Sequence, residues 1–331
     1  MPNLRAGLIG LGMMGRHHGR VMAALAGVDL VAVADPHGDQ HGVAAGRPLL
    51  DSIEELIAVG IDYCMVAVPT IYHEEVGLAL AGAGVHAMIE KPLAQDTPSA
   101  RKLADAFAAK GLIGAVGHIE RYNPALQSAR ARLEAGELGA VYQITTRRQG
   151  PFPARIADVG VVKDLATHDI DLTSWVTQQP FISVGARTAT KSGREFEDLV
   201  AVTGLLADGT VTNHLVNWLS PLKERVTVIT GERGTFVADT LTADLTFYAN
   251  GLVQTMWAGI AQFRGVSEGD VVRFAISKPE PLRVEHEQFR NAVLGMEADI
   301  VTLEQGMATV AVTEAVIESA RTGKTVDIPR A

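Results

Sequence analysis

Leu4-Arg5-Ala6-Gly7-Leu8-Ile9-Gly10-Leu11-Gly12-Met13-Met14-Gly15 opens the chain after three residues, and its reading decides the fold. The first six residues supply a short apolar strand. Gly10, Gly12 and Gly15 then stand in the GxGxxG spacing, and a helical run continues to Leu25. In a strand–turn–helix unit each glycine has its own task. Gly10 permits the tight turn, Gly12 lets backbone approach a pyrophosphate, and Gly15 lets the helix pack closely on the strand. The helix N-terminus turns free N–H groups and a favourable dipole toward phosphate. A second strand, Leu30-Val31-Ala32-Val33-Ala34, ends in Asp35, twenty residues beyond Gly15, where a carboxylate accepts from adenosine ribose hydroxyls. Asp35 repels a 2′-phosphate, and Pro36, His37 and Gly38 bring no arginine or lysine to neutralise one. The pattern therefore predicts NAD.

Outward from this start, strand-like runs near 4–9, 29–34, 62–67, 86–89 and 113–117 alternate with helix-like runs near 15–26, 51–58, 73–83 and 97–110. This is the βαβ rhythm of an open parallel sheet. The rhythm changes after Asn123-Pro124 and a helix to about Ala135. Val141 to Arg148, Phe181 to Thr188, Leu199 to Leu206, Val211 to Trp218, Arg225 to Gly231 and Leu245 to Tyr248 read as strands without long helices between them, and Ala207-Asp208-Gly209-Thr210 reads as a hairpin turn. A mostly antiparallel sheet of about six strands is expected, followed by helices near 285–294 and 302–322 with Gly323 as a stop. The fold class is thus α/β: an N-terminal Rossmann doubly wound parallel sheet plus a C-terminal α/β domain with a mostly antiparallel open sheet. A length of 331 residues suits two domains, expected over 1–122 and 123–331.

The net charge of −9, with no run of lysine or arginine, argues against nucleic acid and anionic membrane as partners. Cys64 is the single cysteine and lies in the apolar stretch Ile61 to Val68, so it reads as a buried structural thiol; disulfides and cysteine-based zinc sites are excluded. No segment has the length of uninterrupted apolar residues that a membrane helix needs, and the amino terminus lacks a basic region followed by an apolar one. Cytoplasmic residence is expected.

Three further stretches carry chemistry. Val66-Ala67-Val68-Pro69-Thr70 leads into His73 at a helix start, placing these residues at the carboxyl edge of the parallel sheet, where doubly wound folds bind ligands. Pro69 ends the strand and Thr70 offers its hydroxyl to the cofactor; His73 either contacts the cofactor or caps and packs. One strand on, Val85-His86-Ala87-Met88-Ile89 ends in Glu90-Lys91-Pro92. A lysine before proline disfavours helix, so Lys91 is expected on an extended loop pointing into the crevice. In Lys163-Asp164-Leu165-Ala166-Thr167-His168-Asp169-Ile170-Asp171-Leu172, residues Asp164, His168 and Asp171 recur at i, i+4 and i+7 and so share a helix face, with Asp169 turned off it. A histidine oriented by a carboxylate suits general base catalysis on an alcohol. No convincing metal-ligand spacing accompanies it, so no metal is expected.

Together the glycine turn, Asp35, Glu90-Lys91-Pro92 and the Asp164…His168…Asp171 spacing resemble the glucose-fructose oxidoreductase / inositol dehydrogenase / rhizopine-catabolism (Gfo/Idh/MocA) family over essentially the whole chain, including the closing Ser319 to Val326. The resemblance implies an oxidoreductase working on a sugar or cyclitol hydroxyl, with Lys91, Asp164 and His168 as the catalytic set. It implies a cofactor set of Gly10, Gly12, Met13, Met14, Gly15, Asp35, Pro69, Thr70, His73, Glu90, Lys91 and Asn123, and a substrate set of Lys91, Arg148, Arg155, Lys163 and His168. It further implies that the open sheet serves a homodimer or homotetramer. Many relatives carry a glycine triplet where this chain has Gly160-Val161-Val162-Lys163, a departure from inositol dehydrogenase. The stretches Gly117 to Pro124 and Arg148 to Gly160 instead look like the branch that oxidises the C3 hydroxyl of UDP-N-acetylglucosamine. Consistent with this, a proline-stiffened loop would present Arg148 and Arg155, both able to grip phosphate bidentately. The proton acceptor is His168 or Lys91. Alternatives are a dehydrogenase or reductase of a free sugar or cyclitol, NAD-assisted glycoside cleavage, and a non-enzymatic NAD-responsive binding protein.

Overall fold

Ala6, Leu8 and Ile9 are almost wholly buried, so from Ala6 onward the first strand has no solvent face, as expected at the centre of a parallel sheet covered on both sides. The computed structural model describes residues 2–152, 159–251 and 267–329. In it β1 (Leu4–Ile9), β2 (Val28–Ala34), β3 (Leu49–Leu50), β4 (Tyr63–Val66), β5 (His86–Glu90) and β6 (Gly114–Gly117) form a six-stranded sheet in the order β3-β2-β1-β4-β5-β6, with every pairing parallel. The order reverses between β1 and β4, which makes their carboxyl ends the switch point where such sheets open a crevice. The crossovers are α1 (Met13–Ala23), α2 (Ile53–Ala58), α3 (His73–Ala83) and α4 (Thr97–Ala109). Ser52 and Asp96 cap α2 and α4 by accepting the Glu55 and Ser99 amides, satisfying donors that a helix start leaves orphaned.

The second sheet has nine strands, in the order β14-β13-β12-β11-β7-β10-β9-β8-β15. After α5 (Pro124–Glu134) come β7 (Val141–Pro151), α6 (Thr167–Thr177), β8 (Phe181–Ala189), β9 (Leu199–Leu206), β10 (Val211–Asn217), β11 (Leu219–Gly231), β12 (Gly234–Asp239), β13 (Asp244–Gly251) and β14 (Ser267–Arg273). All pairings are antiparallel except β7 with β10. Ile144, Ile229, Phe236, Ala238 and Leu245 bury one sheet face against Leu126 and Ala129 of α5 and Leu172, Trp175 and Val176 of α6. Three strands exceed the six expected. β12 follows β11 through the tight Glu232-Arg233 turn, β14 is polar at its start, and the last strand is two residues long, so none gives a full alternating run.

After β14 the chain forms α7 (Pro281–Val293), α8 (Leu303–Thr322) and β15 (Val326–Asp327). Two compact units result: residues up to Ile119 with Glu280–Glu314, and Glu120–Pro279 with Ala315–Ala331. The expectation of an uninterrupted second domain over 123–331 is therefore corrected. Phe289 of α7 packs edge-on against Tyr63 at 5.4 Å, His286 reaches His18 of α1 at 2.8 Å, and Leu303, Met307 and Val310 enter the parallel-sheet core. Burying these apolar faces outweighs chain continuity.

Glu285 of α7 is 1% exposed and neither carboxylate oxygen has a hydrogen-bond partner. Burial, and then the charge of Glu90, push its carboxyl well above the usual range. The folded protein thus keeps a proton that the unfolded chain releases above about pH 4.3. Stability from this group is complete below that pH and is lost as pH rises through the folded value. Glu285→Gln removes the titration. It is expected to melt with the parent near pH 4 and progressively above it toward pH 8, by about 2–4 °C per kcal/mol relieved; parallel melting curves across that range would refute the account.

Candidate active site

The glycine turn matches its predicted geometry. Gly10 has φ +90°, and a Cβ there would lie 2.5 Å from Ala67 backbone. A Cβ on Gly15 would meet the Gly10 carbonyl oxygen at 1.9 Å, whereas one on Gly12 would meet nothing within 4 Å. Gly12 is thus open, and as N-cap of α1 it makes no side-chain cap, so the first-turn amides remain for a ligand. Met13 is exposed and Met14 half-buried beside it. Asp35 accepts from Leu11 N–H at 2.8 Å and from His37 N–H at 2.9 Å, so its carboxylate braces the turn. These features fit a dinucleotide.

At the neighbouring strand ends, Pro69 precedes a 3₁₀ turn over Thr70–Tyr72. His73 is 1% exposed, and its ring nitrogens face the carbonyl oxygens of Pro92 at 2.9 Å and Val68 at 3.0 Å. Of the two roles left open for it, the structure selects packing: His73 staples the two loops together and has no ring nitrogen left for a cofactor. Glu90 is likewise turned inward. Oε1 contacts His18 Nε2 at 2.8 Å and Oε2 accepts Lys91 N–H at 3.0 Å. Burial opposes its charge, but His18 and Lys91 prevail and hold the carboxyl below its usual range. Lys91 itself is half-buried just beyond β5.

In the second unit the aspartate–histidine segment is not one regular helix. Val162–Ala166 is a π-helical turn running into α6, and its wider winding breaks the 3.6-residue stripe that would align Asp164, His168 and Asp171. Asp171 instead takes both hydrogen bonds of a buried pair with Arg121, at 2.8 and 2.7 Å. Lys163 and His168 are half-buried and Asp164 is buried. Before the π turn, Val162 N–H donates to Glu197 Oε1 at 3.1 Å, and a Cβ on Gly160 would lie 2.0 Å from the same oxygen. A side chain at 160 would displace the Glu197 carboxylate from this amide.

Arg148 is a correction. It is 3% exposed and bridges Asp169 at 2.9 Å and Glu120 at 2.8 Å, with Arg225 also on Glu120 at 3.3 Å. Burial works against ionisation of Glu120, but Arg148 and Arg225 outweigh it and hold its carboxyl low. Arg148 is a structural tie rather than a phosphate ligand. Asn123 is also occupied: it caps α5 through the Ala125 amide and donates to Thr240 O at 3.0 Å. Arg155 lies outside the described residues. The reading of Cys64 stands, since the thiol is fully buried and its pKa is pushed up by burial. Among the described residues no group of His, Cys, Asp and Glu is arranged to hold a metal ion, and no helix is long and apolar enough to cross a membrane.

Sequence reasoning missed His18, His286 and Arg121. His18 and His286 are separated by 268 residues, and no local pattern links them. Arg121 stood in the quoted Gly117 to Pro124 stretch, where charge next to an apolar helix was its one signal.

Residues 4–118 match the model described as oxidoreductase family, NAD-binding Rossmann fold, and residues 126–237 match the Gfo/Idh/MocA C-terminal domain. The chain belongs to the Gfo/Idh/MocA oxidoreductase family. Its first unit is accordingly an NAD-binding Rossmann domain. Among relatives, UDP-N-acetylglucosamine 3-dehydrogenase of Acidithiobacillus ferrooxidans is 33% identical over 216 residues, 64% of this chain and 66% of that protein. The scyllo-inositol 2-dehydrogenase (NAD(+)) of Bacillus subtilis is 30% identical over 191 residues, 55% of this chain and 56% of that protein. These alignments span less than two thirds of either relative. A solved structure of the Acidithiobacillus ferrooxidans enzyme superposes with a TM-score of 0.82 at 27% identity, covering 97% of this chain and 99% of that one.

Arg148→Met tests the correction. Stranding buried Asp169 and leaving Glu120 with Arg225 alone is expected to cost about 3–5 kcal/mol of stability, read by denaturant unfolding. Unchanged stability with a raised KM would restore Arg148 as a substrate contact.

Proposed function

We propose that the protein is an NAD-dependent dehydrogenase that oxidises a secondary hydroxyl of a nucleotide-linked amino sugar, with C3 of UDP-N-acetylglucosamine as first candidate. The observation that carries this reading is the joint similarity, in sequence and over nearly the full length of the fold, to a UDP-N-acetylglucosamine 3-dehydrogenase. The inositol dehydrogenases among the relatives support a second reading, oxidation of a free cyclitol.

When bound, NAD supplies the acceptor for the hydride leaving the carbinol carbon. This chain's residues handle what remains. Gly12 and the open amides of α1 bind the pyrophosphate, and Asp35 holds the ribose. Lys91 donates to the reacting oxygen and stabilises the charge that develops there. His168, with Asp164, takes the hydroxyl proton. In this division of roles Lys91 is the donor and the imidazole is the base. The exposed Val211, Tyr248 and Val271 on the second sheet support assembly as a homodimer or homotetramer. The buried single thiol supports residence in the reducing cytoplasm.

Three outcomes are expected. NAD is used in preference to NADP, and Asp35→Ser with His37→Arg shifts that preference toward NADP; equal use by the parent would count against Asp35. Lys91→Met and His168→Ala each lower turnover about a hundredfold or more, less than additively when combined, with NAD affinity little changed. NADH appears with UDP-N-acetylglucosamine in a screen of UDP-sugars, free sugars and cyclitols. Activity on inositol or glucose with none on any UDP-sugar would select the second reading.

A further inference from the structure

The parallel-sheet unit buries a cluster of ionisable side chains behind the end of β5, where Lys91 follows. His18, Glu90, Glu285 and His286 are all under one-tenth exposed. They come from α1, β5 and α7, elements far apart in the chain. A buried carboxylate is costly unless its oxygens are paired, and Glu90 has both paired: one oxygen with His18 Nε2 and the other with Lys91 N–H. Room for this carboxylate is kept on the facing strand, where a Cβ on Gly117 would already crowd Glu90 Oε1 at 3.3 Å.

Behind His18 the chain of contacts continues. His18 Nδ1 lies 2.8 Å from His286 Nε2, and the two rings meet edge to face at 5.1 Å. Burial, then His18, hold His286 well below the usual histidine range, so its ring is neutral. The two rings therefore share one hydrogen bond, His18 Nδ1 with His286 Nε2, while His18 turns its other nitrogen, Nε2, onto the Glu90 carboxylate.

We propose that His18, backed by His286, is a positioning residue for Lys91, acting through Glu90. β5 ends at Glu90, so the Lys91 amide stands at the point where the chain leaves the strand, and the Glu90 carboxylate fixes it. On the far side His73 faces the Pro92 carbonyl. The backbone of the lysine is thus held from before and after. His18 also lies on the helix that begins at Gly12, so the hydrogen-bond chain ties the lysine to the helix of the pyrophosphate-binding turn. This rests on the reading of Lys91 as the group that meets the substrate oxygen.

The test uses the full chain and two kinds of readout. His18→Phe keeps the edge-to-face packing and removes both hydrogen bonds, and Glu90→Gln keeps the shape but loses the charge-assisted bond. In both variants, amide hydrogen exchange followed by NMR without NAD is expected to quicken at Lys91 by about tenfold, while Ala87, Met88 and Ile89 keep their protection. In turnover, His18→Phe should lower kcat by about tenfold or more, leave KM and the NAD dissociation constant within about threefold, and be largely rescued by His18→Gln, which retains a donor. Unchanged exchange at Lys91 in whichever variant folds, or quickening spread over all of β5, would overturn the proposal. A parent without NAD-linked oxidation of any sugar would defeat the dehydrogenase reading, and the exchange result would still decide whether His18 holds Lys91.

Discussion

The carbonyl oxygen of Gly10 occupies the space where residue 15 would carry a Cβ, 1.9 Å from its ideal position. That approach sets helix α1 directly on the end of β1. Any other residue at 15 must push the helix away, and the turn then widens. Much follows from this one spacing. It brings the free amides of α1 over the switch point of the sheet and lets Asp35 reach the Leu11 amide at 2.8 Å. It also carries His18 to the depth at which it meets Glu90. Positive φ at Gly10 is the backbone half of the same constraint, since an L side chain there would collide with Ala67.

The first unit was readable because its determinants are local. Apolar runs too short for helices, a glycine spacing and a carboxylate at a strand end each announce themselves within a few residues, and Asp35, Gly12 and Lys91 lie where those patterns place them. The second unit was readable in outline and misread in detail. Arg148 looked like a free cation in a polar loop because its partners, Asp169 and Glu120, are 21 and 28 residues away. Periodicity placed Asp164 one turn before His168, but the π turn over Val162–Ala166 changes the winding between them, and Asp171, one turn further on, is taken by Arg121. Neither a long-range ion pair nor a local change of helical pitch leaves a periodic trace.

The second unit invests heavily in buried charge. Arg121 with Asp171, and Arg148 with Asp169 and Glu120, are nearly water-free pairs. Such pairs are not an efficient source of stability, because desolvation consumes most of the Coulomb gain. Their effect is directional. Two aspartates two residues apart on α6 are each clamped by an arginine from a different element, one following β6 and one on β7, so the helix carrying His168 is fixed in rotation about its axis. A purely apolar interface would allow that rotation to slip.

The first unit closes on itself through a segment that arrives late. Tyr63 and His18 are made early, but Phe289 and His286, which complete their surroundings, belong to residues 280–314. During synthesis at the usual rates, about 10–40 s separate the emergence of residue 119 from that of residue 314. Throughout that interval the nascent amino-terminal sheet carries an uncovered apolar and imidazole-lined face, while Glu120–Pro279 of the second unit is translated. Vectorial folding therefore cannot finish the unit it starts first. The dinucleotide domain is sealed only once residues 280–314 are made, and a chain cut short before α7 would expose the surface that chaperones and proteases read.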